Sequence, residues 1–463
     1  MGFARRLRQF TGIAMAVCLL LPESGYGLTM DERITAGWVA RMMCSSVFVS
    51  GRNEQDVLAA EFGPAALGRE RAFRVIVDQK AGTVVVAPGV DGERGPMAVY
   101  RDGLGCTLAL GDVSPAALQD ITIPSLAAVS DPDLPWPAGR AIARNAADGQ
   151  MDRIDALVEE ALQYGHENAG LGTRAIAIVY QGRLIAEGYA PTFNNTMPLY
   201  GASMTKTVIG MLVGPLVEEG RLSLTRQGLR PGWQDKRATI SFEQLLKGVS
   251  GLAFGEDYRS DSDVNRMLFT EPDMATYAAD KPLEHEPGTS WAYSSGATNI
   301  LSRLMRDTFA SDADWYRYPS WQLFLPLGLE TAVFETDTVG TFVGSSFLWA
   351  SAQDFARLGL LLAQDGKWQG QRVLPEGWVD YQRTAHPGNE NANYGAQLWL
   401  YPDDIEDRAL PARRFAMVGY GGQSVMVAPE DDLVIVRMGW DVGIDPWNRS
   451  AFFDSVADAL GLR

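Results

Sequence analysis

The chain has 463 residues, 46% hydrophobic and 21% charged, a globular composition long enough for one large domain or two ordinary ones. Acidic residues outnumber basic ones, 57 to 40, for a net charge of −17. Nucleic acid repels such a surface, and no basic stripe with interleaved aromatics interrupts it, so a nucleic-acid partner is excluded.

The first residues read as an export signal. Arg5, Arg6 and Arg8 precede an apolar run from Gly12 to Leu21. That run has the length of a signal-peptide core and is too short to span a bilayer. Small residues at Gly25 and Gly27 place processing near Gly27, giving a signal segment over 1–27. The expectation is an exported protein, periplasmic or secreted, with no stable membrane anchor after removal; an uncleaved segment would instead be an anchor. Cys18 follows Val17, which is not the small residue that lipid attachment requires. Two cysteines then remain, Cys44 and Cys106. In an exported protein they are expected to pair, the alternative being two buried thiols.

Residues 28–135 are expected to form an accessory region without a catalytic pattern. Phe73–Val77 and Thr83–Ala87 are β-rich runs separated by turn residues, a hairpin signal. Met97–Arg101 and Cys106–Leu110 suggest a second pair around Gly103 and Gly105. The segment from Asp131 to Pro137 carries three prolines, cannot be regular helix, and marks the domain boundary. Beyond it, Ile154, Leu157, Val158, Ala161 and Leu162 repeat at helical spacing up to Gly165. Ala175–Tyr180 and Arg183–Tyr189 flank a tight Gln181–Gly182 turn. Near the other end, Ser424–Ala428 and Leu433–Trp440 are two more strands, followed by a helix over about 450–460. Antiparallel strands at both ends with helical sequence between predict one α+β sheet assembled from both termini, over residues 140–463.

A serine hydroxyl needs a neighbour to take its proton. His166, His285 and His386 have no persuasive setting for that role, and no G-x-S-x-G elbow is present. Ser203-Met204-Thr205-Lys206 supplies another solution. Residues three apart on a helix share a face, so amine and hydroxyl can meet. The following run, Val208 to Val217, is apolar nearly all round, as a buried helix is. Burial lowers a lysine pKa and makes it a plausible base. Pro215 is expected to kink or end that helix. The histidines and cysteines form no ligand cluster, so no metal and no other cofactor is expected.

Tyr200–Thr207 resembles the active-site segment of class C β-lactamases and their esterase and 6-aminohexanoate-oligomer-hydrolase relatives. Further blocks are similar in the same order: Leu245–Leu252, Glu256-Asp257-Tyr258, Pro287–Gly296, Ala350–Arg357 and Val418–Gln423. The resemblance covers about 140–463. It implies a β-lactamase/transpeptidase-like fold, an antiparallel sheet flanked by helices with a mainly helical subdomain. It also implies Ser203 as nucleophile, Lys206 as its activating partner and Tyr293 as the proton shuttle to the leaving group. Near a cation, the Tyr293 phenol is expected to titrate below its normal value. Ser295 stands where the family often has asparagine. Tyr420-Gly421-Gly422 stands where β-lactamases and penicillin-binding proteins have K-T-G, and a tyrosine cannot supply the charge that holds a substrate carboxylate. The glycines suit a strand edge that approaches a ligand closely. The N–H groups of Ser203 and Gln423 would hold the oxyanion, and Tyr258 aligns with a substrate-contacting tyrosine. Trp291 reads as core rather than pocket wall. The expected function is hydrolysis of a small amide or ester through an acyl-enzyme. The alternatives are a D,D-peptidase or β-lactamase, and a catalytically inactive binding or scaffold module.

Overall fold

The computed structural model describes residues 28–62, 73–88, 95–123, 131–143, 148–165, 171–258, 261–401, 412–442 and 444–462. The signal-segment reading and His166 fall outside them. Among the described residues, fifteen strands run in chain order: β1 (Phe73–Asp78), β2 (Thr83–Pro88), β3 (Met97–Arg101), β4 (Gly105–Leu108), β5 (Gly172–Tyr180), β6 (Arg183–Tyr189), β7 (Leu199–Tyr200), β8 (Val333–Phe334), β9 (Leu348–Ala350), β10 (Lys367–Trp368), β11 (Gln371–Arg372), β12 (Trp399–Leu400), β13 (Phe415–Gly419), β14 (Gln423–Ala428) and β15 (Leu433–Trp440). Six helices matter most to the site: α1 (Met30–Cys44), α2 (Asp148–Gln163), α3 (Met204–Glu218), α4 (Ser295–Arg306), α5 (Ala352–Ala363) and α6 (Arg449–Leu460).

The main sheet has six strands in the order β12-β13-β14-β15-β5-β6. The pairings run antiparallel throughout, and β5 is joined to β15 across almost the whole length of the domain sequence. Alternation sorts the side chains of each strand to opposite faces. Ile176 and Ile178 of β5 pack with Ile154 and Val158 of α2 and Phe453 and Val456 of α6. Ala175, Ala177 and Val179 face the larger core with Phe355 and Leu358 of α5. Both faces are covered, which is why β5 and β15 read as nearly unbroken apolar runs.

The region before the Asp131–Pro137 segment forms a four-stranded antiparallel sheet, β1-β2-β3-β4, beside α1. A capping box starts α1, with the Glu32 N–H on Thr29 Oγ1 at 3.3 Å and the Thr29 N–H on the Glu32 carboxylate at 2.7 Å. Cys44 at the end of α1 is disulfide-bonded to Cys106 of β4. This region does not stand apart, because Val39, Met43, Val84 and Leu108 belong to the same buried core as the helical part of the molecule. The proline-punctuated segment is docked too: Trp136 is buried, and Arg357 of α5 donates to the carbonyls of Pro137 and Gly139. Among the described residues, no helix is long and apolar enough to cross a membrane.

Candidate active site

The chain enters the site from β7, which pairs with β9. The Gly201 N–H continues that contact onto the Leu348 carbonyl at 2.9 Å. Ala202 then adopts a left-handed conformation, φ +47°. For a residue with a Cβ this costs on the order of 1–3 kcal/mol. The turn is held by Thr205, whose hydroxyl donates to the Ala202 carbonyl at 2.7 Å and accepts the Leu348 N–H at 3.1 Å. The outcome is Ser203 at the N-cap of α3, partly exposed while its neighbours are buried. Gly419 at the end of β13 closes over this turn: a Cβ there would lie 2.6 Å from the Gly201 oxygen.

Helix α3 carries Lys206 one turn inward. The helix does not end at Pro215 but runs through it to Glu218, and the Glu219 N–H returns to the Pro215 carbonyl at 2.9 Å. Lys206 is buried, and its Nζ lies 3.2 Å from Ser203 Oγ, 2.9 Å from Ser295 Oγ and 3.0 Å from the Ser345 carbonyl oxygen. Burial pushes its pKa down to about 8, opposed by the Glu256 carboxylate.

Tyr293 sits across from the lysine, with Nζ 4.7 Å from the ring centroid. The expectation of a lowered phenol is corrected here. Burial pushes Tyr293 well above the usual tyrosine value, the Glu256 charge adds to that, and a bond with Ser203 only partly offsets it. The lysine faces the ring rather than stabilising a phenolate, so Tyr293 is a neutral phenol in the resting site.

Ser295, the first residue of α4, is fully buried. Its hydroxyl donates to Glu256 Oε1 and its N–H to Glu256 Oε2 at 3.0 Å. The Tyr258 hydroxyl donates to Glu256 Oε1 at 2.8 Å. The Tyr258 ring stacks on Tyr420, centroids 5.5 Å apart, and Tyr420 is 41% exposed at the mouth. On the Tyr293 side the wall is aromatic as well: Tyr293 stacks on Trp399 at 5.3 Å and meets Tyr394 edge-on at 5.7 Å. Trp291 joins that cluster against Tyr394 and Trp399. Gly421 and Gly422 turn the chain between β13 and β14 with φ of +75° and +85°. A Cβ at Gly422 would meet Arg437 Nη1 at 2.0 Å and Asp441 Oδ2 at 2.1 Å, so the chain packs closely on that pair. The Gln423 side chain is buried and knits the hairpin to β15, accepting the Gly439 N–H at 2.9 Å.

Sequence reasoning left Glu256, Ser345, Tyr394 and Trp399 without roles. Glu256 lay inside a block singled out for Tyr258, and its neighbour to Ser295 is set only by the fold. His285 is exposed, and His386 accepts the Gly388 N–H at 3.0 Å beside Lys247 and Glu243. Among the described residues, no group of three His, Cys, Asp or Glu side chains could hold a metal ion.

A partly exposed serine with a buried lysine one helical turn on, beside an antiparallel sheet in an α+β fold, is an arrangement to set against known proteins. The beta-lactamase family model matches residues 154–439, more than half the chain, and the chain belongs to that family. The 6-aminohexanoate-dimer hydrolase of Paenarthrobacter ureafaciens is 22% identical over 342 residues, 67% of this chain and 81% of its own. Among solved structures, a family VIII carboxylesterase superposes with a TM-score of 0.52 at 12% identity, covering 68% of this chain and 99% of that one. The penicillin binding protein of Bacillus halodurans superposes at 0.50 and 16% identity, covering 67% of this chain and all of that one. These likenesses show a β-lactamase/transpeptidase-like fold.

Proposed function

We propose that the protein is an exported serine hydrolase that cleaves small amides or esters through an acyl-enzyme on Ser203. The observation that carries this is the Lys206 amine, buried, 3.2 Å from Ser203 Oγ and lowered to about 8. In its neutral form that amine takes the Ser203 proton as the hydroxyl attacks the substrate carbonyl. The N–H groups of Ser203, at the start of α3, and Gln423 receive the oxyanion; one such donor is worth about 10²–10³ in rate. Tyr293, a neutral phenol at this surface, relays the proton to the departing amine or alcohol. Water then attacks the ester on Ser203 and releases the acid. No metal or cofactor enters.

Tyr258 and Tyr420 are the proposed substrate wall. Among the described residues, the turn from Gly419 to Gln423 carries no cationic side chain. Arg437 behind it is buried and committed to Asp441, at 2.7 Å through each of two nitrogens, and to the Gly422 carbonyl. That favours substrates without a carboxylate at this position and speaks against β-lactam turnover. An oxidising compartment suits the Cys44–Cys106 bond. The test is a panel of p-nitrophenyl butyrate, a 6-aminohexanoate linear dimer and nitrocefin, given to the parent and to Ser203→Ala. Turnover of the ester or amide by the parent only, with nitrocefin slow, is expected. Equal turnover by Ser203→Ala would refute the assignment.

A further inference from the structure

The buried Lys206 amine and the Glu256 carboxylate are joined through one hydroxyl, that of Ser295. An ionised carboxylate only accepts, and Glu256 receives the Ser295 hydroxyl, the Ser295 N–H and the Tyr258 hydroxyl. A serine hydroxyl has a single proton. Once it is on Glu256, Ser295 Oγ can only accept from Lys206. The Ser345 carbonyl, 3.0 Å from the same nitrogen, also can only accept. A neutral amine has two N–H bonds and one lone pair. Both N–H bonds are therefore taken, and the lone pair is left for the third neighbour, the Ser203 hydroxyl.

We infer that Glu256 is a positioning residue: by holding the Ser295 proton it turns the lone pair of Lys206 onto Ser203. The inference rests on the serine-hydrolase reading above and adds to it the group that orients the base. Glu256 also acts as a charge. The groups around it are the Lys206 amine from α3, Tyr258 from its own loop, and the Tyr293 and Tyr394 phenols, which burial keeps neutral. Removing Glu256 has two effects of the same sign on Lys206. The negative charge that favours the ammonium is lost, and the Ser295 proton is free to bind the amine lone pair. Both lower the lysine pKa, and the second also blocks the base. Mere loosening of the pocket does the opposite, since admitted water restores the ordinary, higher lysine value.

The test follows kcat/KM for p-nitrophenyl butyrate against pH in the parent, Glu256→Gln, Glu256→Leu and Glu256→Leu/Ser295→Ala. Glu256→Gln keeps shape and one acceptor but loses the charge, and its acidic limb is expected to move to lower pH. Glu256→Leu also loses the acceptor, and its plateau is expected to fall about ten- to hundredfold. Adding Ser295→Ala removes the misdirected proton and raises that plateau again. Should Glu256→Leu not fold, Glu256→Gln decides alone. A limb at the parental pH or above it in Glu256→Gln overturns the inference. Its failure is separable from failure of the functional reading: a parent that is acylated on Ser203, with an unmoved limb in Glu256→Gln, loses only the role of Glu256.

Discussion

At the scale of single residues, burial does most of the chemistry. The Lys206 amine faces the Tyr293 ring, and desolvation moves the two groups in opposite directions because it always opposes the charged form. The amine is thereby more easily deprotonated near neutrality, and the phenol holds its proton more tightly. The sign of the pH dependence follows. Below about 8 the amine is protonated and cannot accept from Ser203. As pH falls below that value, kcat/KM for a neutral ester should drop about tenfold per unit, and above it level off. A limb near the histidine range instead would assign the base to another group. Ser203, Lys206 and Tyr293 were legible because spacing and a motif carry them. Glu256 was not, because its partner Ser295 lies 39 residues further on and only the fold brings the two together. The direction of the Tyr293 shift was misread for a related reason: sequence shows a nearby cation but neither the desolvation of the phenol nor that the lysine faces the ring.

At the scale of elements, alternation and helical spacing located the segments well. The β5–β6 and β14–β15 hairpins and the helices α2 and α6 fall within a few residues of their expected bounds. Pro215 is the exception; the surroundings of α3, buried on nearly every side, outweigh one missing hydrogen bond. Contacts between elements were less visible. Gly37 in the middle of α1 is an example. A glycine inside a helix normally weakens it, and replacement by alanine stabilises by about 0.5–1 kcal/mol. Here a Cβ would lie 2.6 Å from the Phe269 carbonyl oxygen on the neighbouring helix Asp263–Thr270. Gly37→Ala should therefore destabilise, by about 1–3 kcal/mol. Thermal unfolding reads the sign directly: a higher midpoint would mean that α1 does not pack this closely.

At the scale of the whole molecule, the part before residue 131 is built into the fold that bears the site. Glu335, fully buried just after β8, accepts from Ser45 at the end of α1 at 2.6 Å and from the Cys106 N–H of β4 at 2.9 Å. It also pairs with Arg41 of α1 at 3.4 Å. One carboxylate thus receives both ends of the Cys44–Cys106 link, and leaving such a buried charge unpartnered costs about 3–5 kcal/mol. That strands from the two ends of the domain share one sheet was expected; that β5 pairs directly with β15 was not specified. The shared core with α1 was not expected, because long-range contact leaves no periodic trace in either segment. This scaffolding holds the turn from Gly201 to Ser203 between β9 and Gly419. The most direct test of its purpose is mass spectrometry of the protein quenched during turnover of p-nitrophenyl butyrate. One butyryl group on the peptide that contains Ser203, absent from Ser203→Ala, is the result expected. Nitrophenol release without that adduct, undiminished in Ser203→Ala, would contradict the serine mechanism.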